Sequence, residues 1–255
     1  MFSNIIEIII LSIVQGISEF LPVSSSAHLI IVSTIYELKS SSLLLDISLH
    51  LGSLLAIIFY FRRDLLDLQN NKRLLLLIIF GSVPLIIFGY IFYSSDLIYI
   101  LRDIKVIAWT TLIFAIVLYF ADKSENRKKI STDLNLKTIL YIGVFQILAI
   151  IPGVSRAGIT ITAGRFLKFN RVESSKISFL LSIPALAGAS ALSLKDIFYE
   201  SHQFTYLILI AISLSFLFSY FTIKFFLIFI NKFSLNIFII YRIIISIILF
   251  FLIYN

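Results

Sequence analysis

The sequence predicts an all-α polytopic membrane protein with six transmembrane helices and two re-entrant helix–loop–helix hairpins, arranged as an inverted-topology repeat. Three observations carry that expectation. The 255 residues are 60% apolar and only 14% charged, with mean hydropathy +1.04, against roughly 45–50% apolar and about 25% charged in an ordinary soluble domain. The apolar residues gather in runs long enough to cross a bilayer, which takes about 20 residues. Two of these runs stop early, at a proline next to serines. A water-soluble globule is excluded. Disorder and collagen-like or linker-like chains are excluded too, because the chain is too apolar and too poor in Gly and Pro.

The first element, residues 5–17, leads into Ser18-Glu19-Phe20-Leu21-Pro22 and three serines. At about 1.5 Å per residue this arm covers only about 20 Å of a hydrocarbon core about 30 Å thick. A broken backbone at that depth must be buried in protein or line a wet cavity, since lipid satisfies no free N–H or C=O. A re-entrant hairpin follows; an ordinary span kinked at proline is the competing reading. Residues 1–17 lack a basic segment and a small-residue cleavage site, so they are expected to stay rather than to leave as a signal peptide.

Runs 43–61, 74–93 and 104–120 are the next three spans. Residues 138–151 then repeat the opening pattern, breaking at Pro152-Gly153-Val154-Ser155-Arg156, and runs 177–194, 204–230 and 237–254 complete the set. The whole is expected to be one integral membrane domain, residues 1–255, with repeats over approximately 1–120 and 137–255. At an offset of 131 residues Gln15 aligns with Gln146, Val23 with Val154 and Ser24 with Ser155. In such folds the broken segments enter from opposite faces and meet near the midplane.

The net charge of +7 reads as orientation rather than nucleic-acid binding, because the basic residues fall in short stretches between apolar runs. Sixteen of them, among them Arg62, Arg63, Lys129, Arg165, Arg171 and Arg242, can be assigned to the cytoplasm, leaving Lys39, Arg102, Lys105 and Lys195 outside and Arg156 within the second hairpin. No cysteine is present, which removes disulfides, thiolate metal sites and cysteine nucleophiles.

An ionisable side chain within an apolar run is costly, so the few present are site candidates: Glu19, His28, Asp46, His50 and Arg156. Gln15 and Glu19, four apart, share one helical face. Ser24, Ser25, Ser26 and His28 bring hydroxyls and an imidazole to a helix start, a setting for binding an anion and attacking it; capping of the return helix is the structural alternative for the serines. The second loop adds Gly153, Ser155, Arg156 and Thr160. Glycine permits close backbone approach and arginine binds phosphate bidentately. Asp46 and His50 either line the cavity mouth or form a local pair. One carboxylate, one histidine, hydroxyls and one arginine suit phosphoryl transfer to water, and a hard cation such as Mg²⁺ or Ca²⁺ on Glu19 would suit the diphosphate oxygens.

Gln15-Gly16-Ile17-Ser18-Glu19 through His28 resembles the first signature of the bacterial undecaprenyl-diphosphate phosphatases, the bacitracin-resistance type, and Pro152-Gly153-Val154-Ser155-Arg156 through Thr160 resembles the second. Leu49-His50-Leu51-Gly52-Ser53 is similar to a further segment of that family. Gln15 stands where many members carry glutamate, and Ala157 where serine is common. The resemblance implies release of the terminal phosphate of undecaprenyl diphosphate on the outer side of the bacterial plasma membrane, a divalent cation and bacitracin resistance. It implies Glu19, His28 and Arg156 as essential groups, with Gln15, Ser24, Ser25, Ser155 and Thr160 binding substrate. The attacking group is left open among His28, put first, Ser25 and water. A polyprenyl-phosphate flippase with a midplane phosphate site is the alternative function. Lipid substrate and bilayer are the expected partners, with a second copy of the chain as a further candidate.

Overall fold

The computed structural model of the protein describes residues 2–35, 43–93, 95, 101–200 and 206–254. Among these, every regular element is helical apart from an isolated bridge between Lys128 and Phe169. The first half runs α1 (Phe2–Ser18), α2 (Ser25–Ile35), α3 (Leu43–Tyr60), the short α4 (Arg62–Leu66), α5 (Leu68–Tyr93) and α6 (Ile104–Asp122). A turn of helix, α7 (Ile130–Asp133), leads to the second: α8 (Leu136–Ile147), extended by a 3₁₀ turn over Leu148–Ile150, then α9 (Arg156–Phe166), α10 (Arg171–Glu200), α11 (Tyr206–Lys232) and α12 (Asn236–Tyr254).

Among the described residues four stretches are long and apolar enough to cross a membrane: Asn70–Phe92, Ile104–Asp122, Tyr206–Lys232 and Asn236–Tyr254. Their outward faces carry large apolar side chains, such as Ile79, Phe80 and Ile87 on α5 and Ile240, Ile247 and Phe251 on α12. Contiguous apolar surface on that scale is stable against lipid, not water. The protein is therefore a multi-pass membrane protein. α3, 18 residues long, is apolar over Leu45–Tyr60 as well.

The run expected over 177–194 belongs to the 30-residue α10, and this helix differs in kind from the four. It packs against α3, α5, α9 and α11 and buries Ser174, Ser175, Ser178 and Ser182. A helix facing protein on several sides gains from small hydroxylated residues that let neighbours approach and can bond across the contact. Close approach recurs between α5 and α8, where a Cβ on Gly143 would lie 2.2 Å from the Gly81 carbonyl oxygen.

Helix starts are set by side-chain caps: Asp103 accepts the Lys105 N–H at 2.7 Å ahead of α6, and Asn135 and Thr138 form a capping box on α8. At about 1.5 Å per residue, α1 with 17 residues and α8 with 12 both end short of a full crossing. Each break is followed by a strained serine. Ser24 has φ +77° and Ser155 φ +73°, a region that L-residues enter only when the surroundings impose it. α1 packs on α11 while α8 packs on α5, and α3 meets α10 as α6 meets α12.

Two of the cations read as flanking charges are buried instead. Arg165, at the end of α9, is 0% exposed; it donates to the carbonyls of Asp122 and Phe169 and pairs with Asn126. Beside it Asp122 accepts from Arg171 at 2.7 and 3.0 Å and caps the Leu235 N–H, so α6, α9, α10 and α12 are tied at one end. Arg242 is 1% exposed and lies inside α12, against both broken loops. The local sequence gives the number of cations near each join, not their depth; with both residues removed, the remaining bias keeps its sign.

Candidate active site between the two broken helices

The first helix stays wound through the Glu19 N–H, which bonds the Gln15 carbonyl at 2.9 Å, and then turns over residues 19–24. That geometry leaves the Glu19 carboxylate, 5% exposed, facing Ser25 at the start of α2. The Ser25 hydroxyl donates to Glu19 Oε2 at 2.6 Å, and the Gln15 amide donates to the same oxygen at 3.1 Å. Arg156, the first residue of α9, donates from Nη2 to Glu19 Oε1 at 2.7 Å and from Nη1 to the Ser178 carbonyl at 3.1 Å. Burying this pair withholds both charges from water, which is tolerable only because each is also hydrogen-bonded.

The two loops touch directly: the Gly153 N–H donates to Ser24 Oγ at 3.3 Å. Gly153 has φ +89°, and a Cβ there would meet Thr110 Oγ1 at 2.1 Å, so both backbone shape and space require glycine. Ser155 caps α9 by accepting the Gly158 N–H at 3.0 Å.

Glu19, Ser24, Ser25, Ser26, Ser155 and Arg156 line one cavity of about 200 Å³, together with His50. Its remaining wall is apolar, formed by residues such as Leu85 and Leu186. A helix N-terminus, a guanidinium and four hydroxyls around a small cavity form a receptor for an anion, and a carboxylate bonded to a hydroxyl supplies a base beside a nucleophile.

Other expected residues lie around this cavity rather than on it. Gln15, fully buried, reaches it through Glu19 and donates to Ser53 at 3.5 Å. Thr160 sits one turn inside α9 and donates to Ser178 at 2.7 Å. His28 lies outside the lining: Nδ1 bonds the Ser24 carbonyl at 2.6 Å, Nε2 meets the Tyr241 hydroxyl at 2.7 Å, and the two rings stack at 5.6 Å. A carbonyl only accepts, so the proton is on Nδ1, and the neutral ring's Nε2 lone pair is taken by tyrosine. His50 bonds the Asp46 backbone carbonyl through Nδ1 at 2.7 Å; Asp46 is not among the lining residues.

Sequence reading missed Tyr241, and treated Arg242 as a loop charge. The Arg242 signal was present, an arginine six residues into the run 237–254. No local pattern marked Tyr241; Ser53 lay in the segment Leu49-His50-Leu51-Gly52-Ser53 without an assigned role.

Among the described residues no group of three or more acidic or imidazole side chains is disposed to hold a metal ion. A cation that takes most of its ligands from substrate, as Mg²⁺ does, would need few protein groups. Glu19 supplies one carboxylate, and the amide oxygen of Gln15 is buried with no hydrogen-bond partner.

An all-helical multi-pass protein whose two interrupted helices bring a carboxylate, hydroxyls and a guanidinium to one small cavity is, as a class, a membrane protein with the groups to bind an anion. The family described as bacitracin resistance protein BacA matches residues 8–248, and the chain belongs to it. Similar proteins include the undecaprenyl-diphosphatase of Pelagibacter ubique (strain HTCC1062), 70% identical over 256 residues that cover 100% of both chains. Those of Campylobacter curvus, 40% identical over 98% of this chain and 99% of the relative, and of Elusimicrobium minutum, 39% identical over 96% of each, are alike over nearly their full lengths.

Proposed function

We propose that the protein hydrolyses undecaprenyl diphosphate to undecaprenyl phosphate and inorganic phosphate, recycling the lipid carrier of cell-wall synthesis and conferring bacitracin resistance. The observation that carries this is the Ser25–Glu19–Arg156 constellation inside a phosphate-sized cavity. The prenyl chain stays in lipid while its diphosphate enters between helices. Extraction of about 55 carbons, at roughly 0.8 kcal/mol per buried methylene, is thereby avoided.

In this mechanism the Ser25 oxygen attacks the terminal phosphorus in line. The P–O bond to serine forms, the bond to the bridging oxygen breaks, and undecaprenyl phosphate leaves with that electron pair. Glu19 Oε2, already accepting the hydroxyl hydrogen, takes the proton. Arg156 and the N–H groups at the start of α9 stabilise charge on the equatorial oxygens. Glu19 passes the serine proton to the bridging oxygen of the departing undecaprenyl phosphate. Water then attacks the phosphoserine with the freed Glu19 carboxylate accepting its proton, and the Ser25 oxygen leaves phosphorus and takes that proton back from Glu19 as phosphate is released. A divalent cation, Mg²⁺ or Ca²⁺, held by Glu19 and the Gln15 amide oxygen, would neutralise diphosphate oxygens.

For topology we favour α3, α5, α6, α10, α11 and α12 as spans, with α1–α2 and α8–α9 as re-entrant hairpins. The repeats, about 1–120 and 137–255, are inverted within a single domain. Support comes from the matched packing of α1 on α11 and α8 on α5, and from strained serines 131 residues apart. The membrane is the bacterial plasma membrane, and the site opens away from the Lys- and Arg-rich face, to the outer side. Purified protein in lipid nanodiscs is expected to release phosphate from a polyprenyl diphosphate, and Glu19→Ala and Arg156→Ala to lose this activity. Full turnover by both variants would contradict the assigned site.

A further inference from the structure

Arg242 is a cation in one of the most apolar helices of the chain, 1% exposed, and among the described residues it has no ion-pair partner. An unpaired guanidinium in such surroundings is costly and marks a specific use. Its four hydrogen bonds all go to main-chain carbonyls. Nη1 bonds Pro22 O at 3.2 Å in the first broken loop; Nη2 bonds Gly153 O at 2.8 Å and Val154 O at 3.2 Å in the second; Nε bonds Thr111 O at 3.4 Å on α6. Where a helix breaks at membrane depth its carbonyls lose their partners, and lipid offers none. The planar fork of one arginine satisfies those of both loops at once, a geometry the single ammonium of lysine does not reproduce.

The preceding residue takes the other hold. The Tyr241 hydroxyl meets His28 Nε2 at 2.7 Å, and His28 Nδ1 donates to the carbonyl of Ser24, the strained residue of the first loop. The guanidinium also lies close behind the cavity: the point that a Cβ on Gly158 would occupy is 2.9 Å from Arg242 Nη1 and 3.2 Å from Ser155 Oγ. At the repeat offset of 131, Arg242 is matched with Thr111, the residue whose carbonyl it bonds, so the clamp lies where the two halves meet.

We propose that Tyr241 and Arg242 are positioning residues, a two-residue clamp that fixes the two broken loops against each other and so sets Ser25, Glu19 and Arg156 in register. His28 belongs to this clamp as the link between Tyr241 and Ser24. The kinetic consequence rests on the phosphatase reading; the structural one does not.

The test uses the full chain in nanodiscs, with Arg242→Lys, Arg242→Gln and Tyr241→Phe. Hydrogen exchange is followed by mass spectrometry over residues 20–26 and 152–156, beside kcat and KM on a polyprenyl diphosphate. Both Arg242 variants are expected to raise exchange in the two loops together, at least about tenfold, while α5 and α10 keep theirs. Their kcat is expected to fall at least about 100-fold with KM within about threefold, and lysine is not expected to rescue it. Tyr241→Phe, which keeps the ring and is the variant to read should the Arg242 variants not fold, is expected to raise exchange in 20–26 alone. Unchanged exchange in either loop on Arg242 substitution, wild-type kcat in Arg242→Lys, or an equal response of both loops to Tyr241→Phe overturns the clamp. A wild-type protein that releases no phosphate while the loops still loosen together sinks the phosphatase reading and leaves the clamp standing.

Discussion

At residues 24 and 155 the two broken loops carry the same residue in the same strained conformation, φ +77° and +73°, each one position before a return helix. Their side chains have parted in use. Ser24 accepts the N–H of Gly153 across the loop contact, whereas Ser155 caps its own helix at Gly158. The first loop holds the carboxylate and the hydroxyl bonded to it; the second holds the guanidinium and the glycine that lets the loops touch. Behind them, Gln15 donates to Glu19 and Ser53, while Gln146, its counterpart at the same offset, is fully buried with neither amide atom bonded. Backbone shape and packing are common to the two broken segments, and the carboxylate with its bonded hydroxyl lies on the first alone.

That contrast sets the order of effects on substitution. Ser25→Ala is expected to cost at least about 10³-fold in kcat, as loss of a nucleophile does, read as phosphate release in nanodiscs. Arg156→Lys keeps the charge but loses the fork, and about 10²-fold in kcat/KM is expected; a near wild-type value would mean that the second loop only neutralises Glu19. Gln15→Leu is expected to lower turnover about tenfold, leaving Glu19 without one of its donors, whereas Gln146→Leu keeps full activity and holds or raises Tm, because it removes a buried amide that bonds nothing. Equal losses in the two variants would break the asymmetry. The smallest effect belongs to Ser155→Ala, about 1 kcal/mol of stability from a lost helix cap, measured as a modest fall in Tm, with turnover lowered less than in Gln15→Leu because one of four cavity hydroxyls is gone.

Much of this arrangement was legible in the chain. Scarcity of charge in apolar runs pointed to Glu19 and Arg156, and the proline-serine breaks located both loops, because each signal is local. That the two broken segments meet was legible from the repeat; which side chains face the cavity was not. His28 is only three residues beyond Ser25 yet faces Tyr241 outside the cavity, while His50, a helix away, lines it. A helix turn of about 100° per residue decides such placements, and only packing fixes which face meets the loop. Arg242 was miscounted for a related reason: a positive charge near a join reads as surface until the carbonyls it serves, from three other segments, are seen around it. Run 177–194 read as a span like the others, and that its serines are buried because α10 packs against several helices was not legible.

The account stands on Ser25 attacking phosphorus with Glu19 as its base. The direct measurement is acid-quenched turnover of a polyprenyl diphosphate radiolabelled in its terminal phosphate, comparing wild type with Ser25→Ala. Label trapped on the peptide containing Ser25, and absent from the variant together with its turnover, is the result expected. A Ser25→Ala protein that releases phosphate at the wild-type rate would contradict the account.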